Sequence, residues 1–258
     1  MKLCRFELKS DPSQIRSGIV YNGKVYETNG SEAIAVYEAD QIRPLTPVGQ
    51  PPAFRVVRAL PRLIDADEPP SYFYASPTAM VGASSVIDIP EMMGEIDCEA
   101  YIGAVLGSDA ASIGVETSDD IILGYTIVLA LVSREAERFE KRVGSGPGRS
   151  FDIGIGVGPV LTTPEEIEDM VQDAEFGRRF ALEVVVRVNG VDRRRGNVAE
   201  LPFTFAQAIS TASETCPIRV GDLIAMGPLA IGLPENLTSG DEVTVAIELL
   251  GAITLKIN

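Results

Sequence analysis

The sequence predicts a strand-dominated α+β fold. Three observations carry that prediction: two Asn-Gly turns set between β-rich runs, 24 Gly and 17 Pro spread along 258 residues, and short apolar runs with few stretches of helical period. With 45% hydrophobic and 23% charged residues, the chain buries a large core as one sizeable domain or as one domain with a small appendage.

Gly18–Glu27 places two β-rich runs around Asn22-Gly23, a hairpin signal, and Gly30–Ala39 is expected to be a short helical stretch. Pro44, Pro47, Pro51 and Pro52 mark a linker, so residues 1–50 are expected to form a small N-terminal subdomain and residues 51–258 the main domain. Ala53–Leu60 is a strand and Pro61–Pro70 a proline- and acid-rich loop, with strands again at Ser84–Ile89 and Cys98–Leu106. Ala110–Thr117 ends a loop or forms a short helix, and Ile121–Leu131 is a buried strand or a strand-to-helix turn. Arg134–Val143 holds helix formers and suits a lid, and Gly144–Gly148 is a flexible loop. Pro164–Gln172 is a helix with Pro near its start and acids in its first turn. Leu182–Val188 alternates as a strand into the Asn189-Gly190 turn, Thr204–Thr211 is helical, and Leu223–Met226, Val243–Leu249 and Ala252–Lys256 are strands.

Composition excludes several functions. Lys plus Arg number 22 against 37 Asp plus Glu, a formal charge of −15 that repels nucleic acid and anionic lipid. Arg193-Arg194-Arg195 is a local exception with no basic stripe beside it and reads as a solvated turn. No run approaches the ~20 apolar residues of a membrane helix. The charged start of the chain has no signal-peptide pattern. Cys4, Cys98 and Cys216 are too scattered for a disulfide framework or a zinc site, which fits a reducing cytoplasm. The chain has no histidine, so imidazole-activated nucleophiles and His-bound metals are absent, and carboxylates, Tyr, Lys, Arg, Cys and Ser remain as catalysts.

The order of further landmarks resembles the fumarylacetoacetate hydrolase family. They are Met1–Phe6, Gly18–Val25, Pro77–Gly82, Asp97–Ala100 before Ile102–Gly107, Ile122–Thr126, Arg149–Asp152, Gly158–Thr163, Val220–Ala225 and Ser239–Val243. The resemblance implies a mixed β-roll, usually a homodimer, acting on a small-molecule substrate. It also implies Mg²⁺ or Mn²⁺ held by a Glu-x-Glu on one strand and a later Asp, since alternate strand residues share a face and oxygen ligands suit hard cations. Here Glu99 matches the first Glu, Tyr101 replaces the second, and Leu129-Ala130 stand where Asn-Asp belong. No metal and no cofactor are therefore expected, although Asp97 and Glu99 at i and i+2 leave a shifted site open. The family's His-bearing lid motif has no counterpart in Pro61–Glu68, one customary Lys falls on Ala75 and another on Arg149, and the Thr-Gly-Thr-Pro loop becomes Met226–Leu229.

The candidate catalytic groups are Glu99, as a carboxylate without a cation, Tyr101 beside it, and Arg149 as an enolate partner. Arg134, at the family's Arg that holds a substrate carboxylate, is expected to bind substrate with Tyr74, Leu129, Ala130 and Met226. The bland alternatives are a Glu99 satisfied by Arg134 or Arg149, a Tyr101 that only packs, and an Arg134 on a solvated helix face. Three functions follow. One is a metal-independent tautomerase, isomerase or intramolecular cyclase for an enolisable dicarbonyl compound, its pocket widened by Leu129, Ala130 and Ala75. The second is a non-catalytic binding or partner protein, and the third a Mg²⁺-dependent hydrolase or decarboxylase with an altered ligand set.

Overall fold

The computed structural model describes residues 1–59, 68–172, 175–230 and 232–258. Both Asn-Gly pairs adopt positive φ (48° and 77° at Asn22-Gly23, 51° and 76° at Asn189-Gly190), the geometry that joins twisted antiparallel strands in two residues. They connect Asp11–Tyr21 to Lys24–Asn29 and Glu183–Val188 to Val191–Asn197.

Among the described residues, twelve strands form one mixed sheet. Its central hairpin pairs Ile96–Leu106 with Ile122–Ser133, and every residue of Ile96–Leu106 is buried. Side chains alternate across this sheet, as strand geometry requires. Ala100, Ile102, Leu129, Leu131 and Met226 enter a larger core, which a second, five-stranded sheet covers with Val184, Val186, Val243 and Val245. Tyr101, Val105, Val128, Ala130 and Val132 enter a smaller core with Phe54, Val56 and Phe151. Covering both faces explains why the central strands read as unbroken apolar runs.

The first strand, Lys2–Leu8, pairs antiparallel with Gly154–Thr162, so the N-terminal meander continues the large sheet while keeping a small cluster of its own around Cys4, Phe6, Val25 and Ile42. The helix expected at Gly30–Ala39 is instead the strand Glu32–Glu38 followed by a 3-10 turn, Ala39–Gln41. Gly30, at φ 65°, turns the chain back so that Val36 and Tyr37, good strand formers, pair with Tyr26 and Val25, while Ile34 falls at a bulge in the ladder. Pro164–Met170 likewise forms 3-10 rather than α turns before the short strand Val171–Gln172. Most of the expected Pro61–Pro70 loop lies outside the described residues. No helix among those described is long and apolar enough to cross a membrane.

Candidate active site

The site lies where the smaller core meets the helix Arg134–Val143. That helix starts directly after the strand Ile122–Ser133. Ser133 caps it by accepting from the Ala136 N–H at 3.0 Å, Glu135 and Glu137 lie in its first turn, Lys141 and Arg142 in its last, and Gly144 ends it at φ 75°. The expected lid segment is thus a helix, and it turns its charged face inward: Glu137 and Glu140 are buried while Phe139 and Val143 are exposed.

Glu99 and Tyr101 share one face of Ile96–Leu106, as their i, i+2 spacing predicts, and Ala130 sits directly across from Glu99. The Tyr101 hydroxyl donates to Glu99 Oε2. Arg58, at the end of the strand Phe54–Arg58, donates Nη2 to both Glu99 oxygens at 3.0 Å and Nη1 to Glu137 at 2.6 Å. Arg134 donates to Glu99 at 2.8 Å, to Asp97 at 2.7 and 3.0 Å, and to Glu137 at 3.1 Å. Lys141 lies 3.1 Å from Glu137. Three carboxylates and three cations therefore close into one network, the arrangement in which buried charges are tolerated.

Charges and burial shape each group. Burial is the largest single influence and lowers the affinity of Arg58 and Arg134 for their protons, but Glu99 together with Tyr101 and Glu137 at Arg58, and with Asp97 at Arg134, overcomes it, and both guanidinium groups are held more firmly charged than usual. Burial pushes the Glu137 carboxyl up, and Arg58, Lys141 and Arg134 together overcome it and hold it at about 2. Burial, followed by the Glu99 charge, raises the Tyr101 phenol well above its ordinary range.

A cleft of about 340 Å³ opens above the network, walled by Arg58, Tyr72, Phe73, Glu137, Glu140 and Lys141 among others. Glu99 and Tyr101 lie beneath it, 2% and 0% exposed, sealed by Arg58 and Glu137.

Several expected site residues lie elsewhere. Leu129 and Met226 sit in the larger core, on the opposite face of the sheet from Glu99, because each is one residue out of step with the site-facing set. Ala130 and Ala75 pack in the smaller core and do not line the cleft, whose wall combines the charged Arg58, Glu137, Glu140 and Lys141 with Tyr72, Phe73 and Pro147. Tyr74 is half exposed and stacks on Arg55 with 5.3 Å between ring centre and Cζ, while its neighbours Tyr72 and Phe73 enter the cleft wall. Arg149 is exposed and touches Met92 Sδ at 3.7 Å; its neighbour Ser150 is drawn inward by Glu140, which turns Arg149 outward. Arg134 joins Glu99 as expected. Arg58 and Glu137 escaped the sequence reading. The signal for Arg58 was an arginine in step with Phe54 and Val56 on an apolar strand; for Glu137 it was the i, i+3 and i, i+4 spacing to Arg134 and Lys141.

Fold and site together define a mixed β-roll domain with a buried charged centre opening onto a small cleft. Residues 54–258 match the family model described as fumarylacetoacetate (FAA) hydrolase C-terminal, and the chain belongs to that family. It is 29% identical over 199 residues to the oxaloacetate tautomerase YisK of Bacillus subtilis (strain 168), covering 75% of this chain and 62% of that protein. It is 27% identical over 283 residues to a 2,4-didehydro-3-deoxy-L-rhamnonate hydrolase of Sphingomonas sp. (strain SKA58), covering 97% and 94%. The crystal structure of 2-hydroxyhepta-2,4-diene-1,7-dioate isomerase from Mycobacterium marinum superposes with a TM-score of 0.82 over 100% of this chain and 98% of that one. At 20% identity, that likeness establishes the fold.

Proposed function

We propose that this protein is a metal-independent tautomerase or isomerase of an enolisable dicarbonyl-type acid, with Arg58 supplying the positive charge that the family resemblance assigns to a divalent cation. The observation that carries the reading is the cover over Glu99: two guanidinium groups and a phenol occupy a carboxylate that the resemblance places on the metal. The donor set does not fit Mg²⁺ or Mn²⁺. Asp97, Glu99 and Glu137 are all engaged with guanidinium nitrogens, and two fixed cations beside Glu99 oppose a third. Among the described residues no group of three His, Cys, Asp or Glu side chains is arranged to hold an ion.

Enolisation places negative charge on a carbonyl oxygen, and a guanidinium fixed beforehand stabilises that charge without reorganising. Arg58 is held in this way, with Glu99 gripping Nη2 from below. Glu99 and Tyr101 are then positioning residues that orient Arg58, and Arg58 is the group that meets the substrate. The relatives named as a tautomerase and an isomerase support this class of chemistry. A homodimer, as the resemblance implies, in the reducing cytoplasm that the scattered cysteines suit, completes the reading.

The test is the enol-to-keto conversion of oxaloacetate followed by ultraviolet absorbance. Turnover is expected to persist in excess chelator, and Arg58→Ala to lower it by roughly 10²–10³, the usual loss for one oxyanion donor. A rate that vanishes with chelator and returns with Mg²⁺ sinks the proposal. The sealing of Glu99 and Tyr101 favours a second reading, a non-catalytic binding protein, which a wild-type rate no faster than buffer would select.

A further inference from the structure

We propose that Glu137 is a built-in occupant of the anion subsite on Arg58 and that, once an anionic substrate displaces it, its carboxylate is the base of the reaction. The base assignment rests on the tautomerase reading; the displacement does not.

The guanidinium of Arg58 is divided between two acids at different depths. Nη2 faces down to Glu99, whose side chain is 3% exposed, and Nη1 meets Glu137 in the cleft wall. A substrate carboxylate or enolate entering the cleft reaches Arg58 where Glu137 already lies, so the two compete for one donor. Glu137 can yield. Arg134 Nη1 and Lys141 Nζ, each 3.1 Å from it, remain its partners when Arg58 turns to the ligand, so no buried charge is stranded. Both come from its own helix, at i−3 and i+4, and move with it. Glu99 keeps Arg134 and Tyr101 throughout.

Displacement also changes what Glu137 can do. While Arg58 holds it, its carboxyl stays at about 2 and is a feeble base. Without that hydrogen bond, the upward push of burial is opposed only by Lys141 and Arg134, and the group moves toward the range a general base needs. For an enol substrate the step balances without a co-reactant. The Glu137 carboxylate takes the hydroxyl proton, Arg58 Nη1 holds the enolate oxygen, the oxygen electron pair forms C=O, and the former C=C pair takes the proton back from Glu137 at carbon. The reverse sequence converts keto to enol.

Titration calorimetry of the full chain with oxalate, a planar enolate mimic, tests the displacement, and oxaloacetate turnover tests the base. Glu137→Gln, with its competing charge removed, is expected to bind oxalate about tenfold more tightly than wild type, and Arg58→Ala to lose binding. The same Glu137→Gln is expected to lower kcat by roughly 10²–10⁴ while KM falls. Unchanged or weaker oxalate binding overturns the displacement, and an undiminished kcat overturns the base. A wild type that binds oxalate but turns nothing over fails the tautomerase reading alone, and tighter binding by Glu137→Gln then still upholds the displacement. Should the Gln variant not fold, Glu137→Asp, one methylene shorter and less able to hold Arg58, is read against the same criteria.

Discussion

Tyr101→Phe removes one oxygen from the centre of the charged network and leaves the packing in place. The ring lies edge-on to Phe151, with centroids 6.0 Å apart, and against the backbone at Gly227, where an added Cβ would come within 2.7 Å of Cδ1. Phenylalanine keeps both contacts. What is lost is a hydrogen bond to a carboxylate, ordinarily about 1.5–3 kcal/mol net. Glu99 is not orphaned, because Arg58 still reaches both its oxygens and Arg134 reaches one. The lower half of the range therefore applies, about 2 kcal/mol, or a fall in Tm of roughly 4–8 °C for a chain of this size. Urea unfolding followed by circular dichroism should show a lower midpoint at unchanged slope. A double-mutant cycle with Glu99→Gln should return a coupling of about 1 kcal/mol or more. A midpoint equal to wild type, or a coupling of zero, would refute the claim that the phenol is held by Glu99 rather than merely packed beside it.

Three other expectations follow from the same structure. Glu137 sits near 2 when folded against an ordinary 4.5, so the stability it contributes is complete above pH 4.5 and disappears as pH falls through 2; the ceiling is about 3 kcal/mol, and urea midpoints measured across that window should fall less steeply in Glu137→Gln than in wild type. Asp222→Ala strips Arg55 of its 2.7 Å partner where both side chains are at most 2% exposed, and should cost about 3–5 kcal/mol in chemical denaturation; a loss under about 1 kcal/mol would contradict the pairing. Of the three thiols, Cys216 is exposed, while burial pushes Cys4 up to about 11 and Cys98 higher still, so native protein should label quickly at Cys216 alone, as peptide mass mapping would show.

Local chemistry explains what could be read before folding. Asn22-Gly23 and Asn189-Gly190 turn because those residues accept positive φ, and the Ser133 cap and Gly144 bound the helix between them, all within a few residues of chain. The common face of Glu99 and Tyr101 follows from the strand's period of two. Arg134 was legible through the family resemblance, which places a substrate-binding Arg at that position. Other assignments depended on partners far away. Arg58 lies 41 residues before Glu99 on a strand that is not paired with Ile96–Leu106, because Leu223–Gly227 intervenes in the sheet. Leu129 and Ala130 look alike in a run buried on both sides, where no polar residue marks which face meets the site. Glu32–Glu38 is a strand because the hairpin gave it a neighbour, which outweighs a modest helical preference.

By itself the amino-acid order determined the turns, the caps, the absence of imidazole and the side each strand residue shares with its second neighbour. Only the tertiary structure decided which of the two faces holds the charged centre and that Arg58 and Glu137 close it, because the contacts of Arg58 with Glu99 and Glu137 bring together two strands and a helix far apart in the chain, and no local spacing encodes that approach.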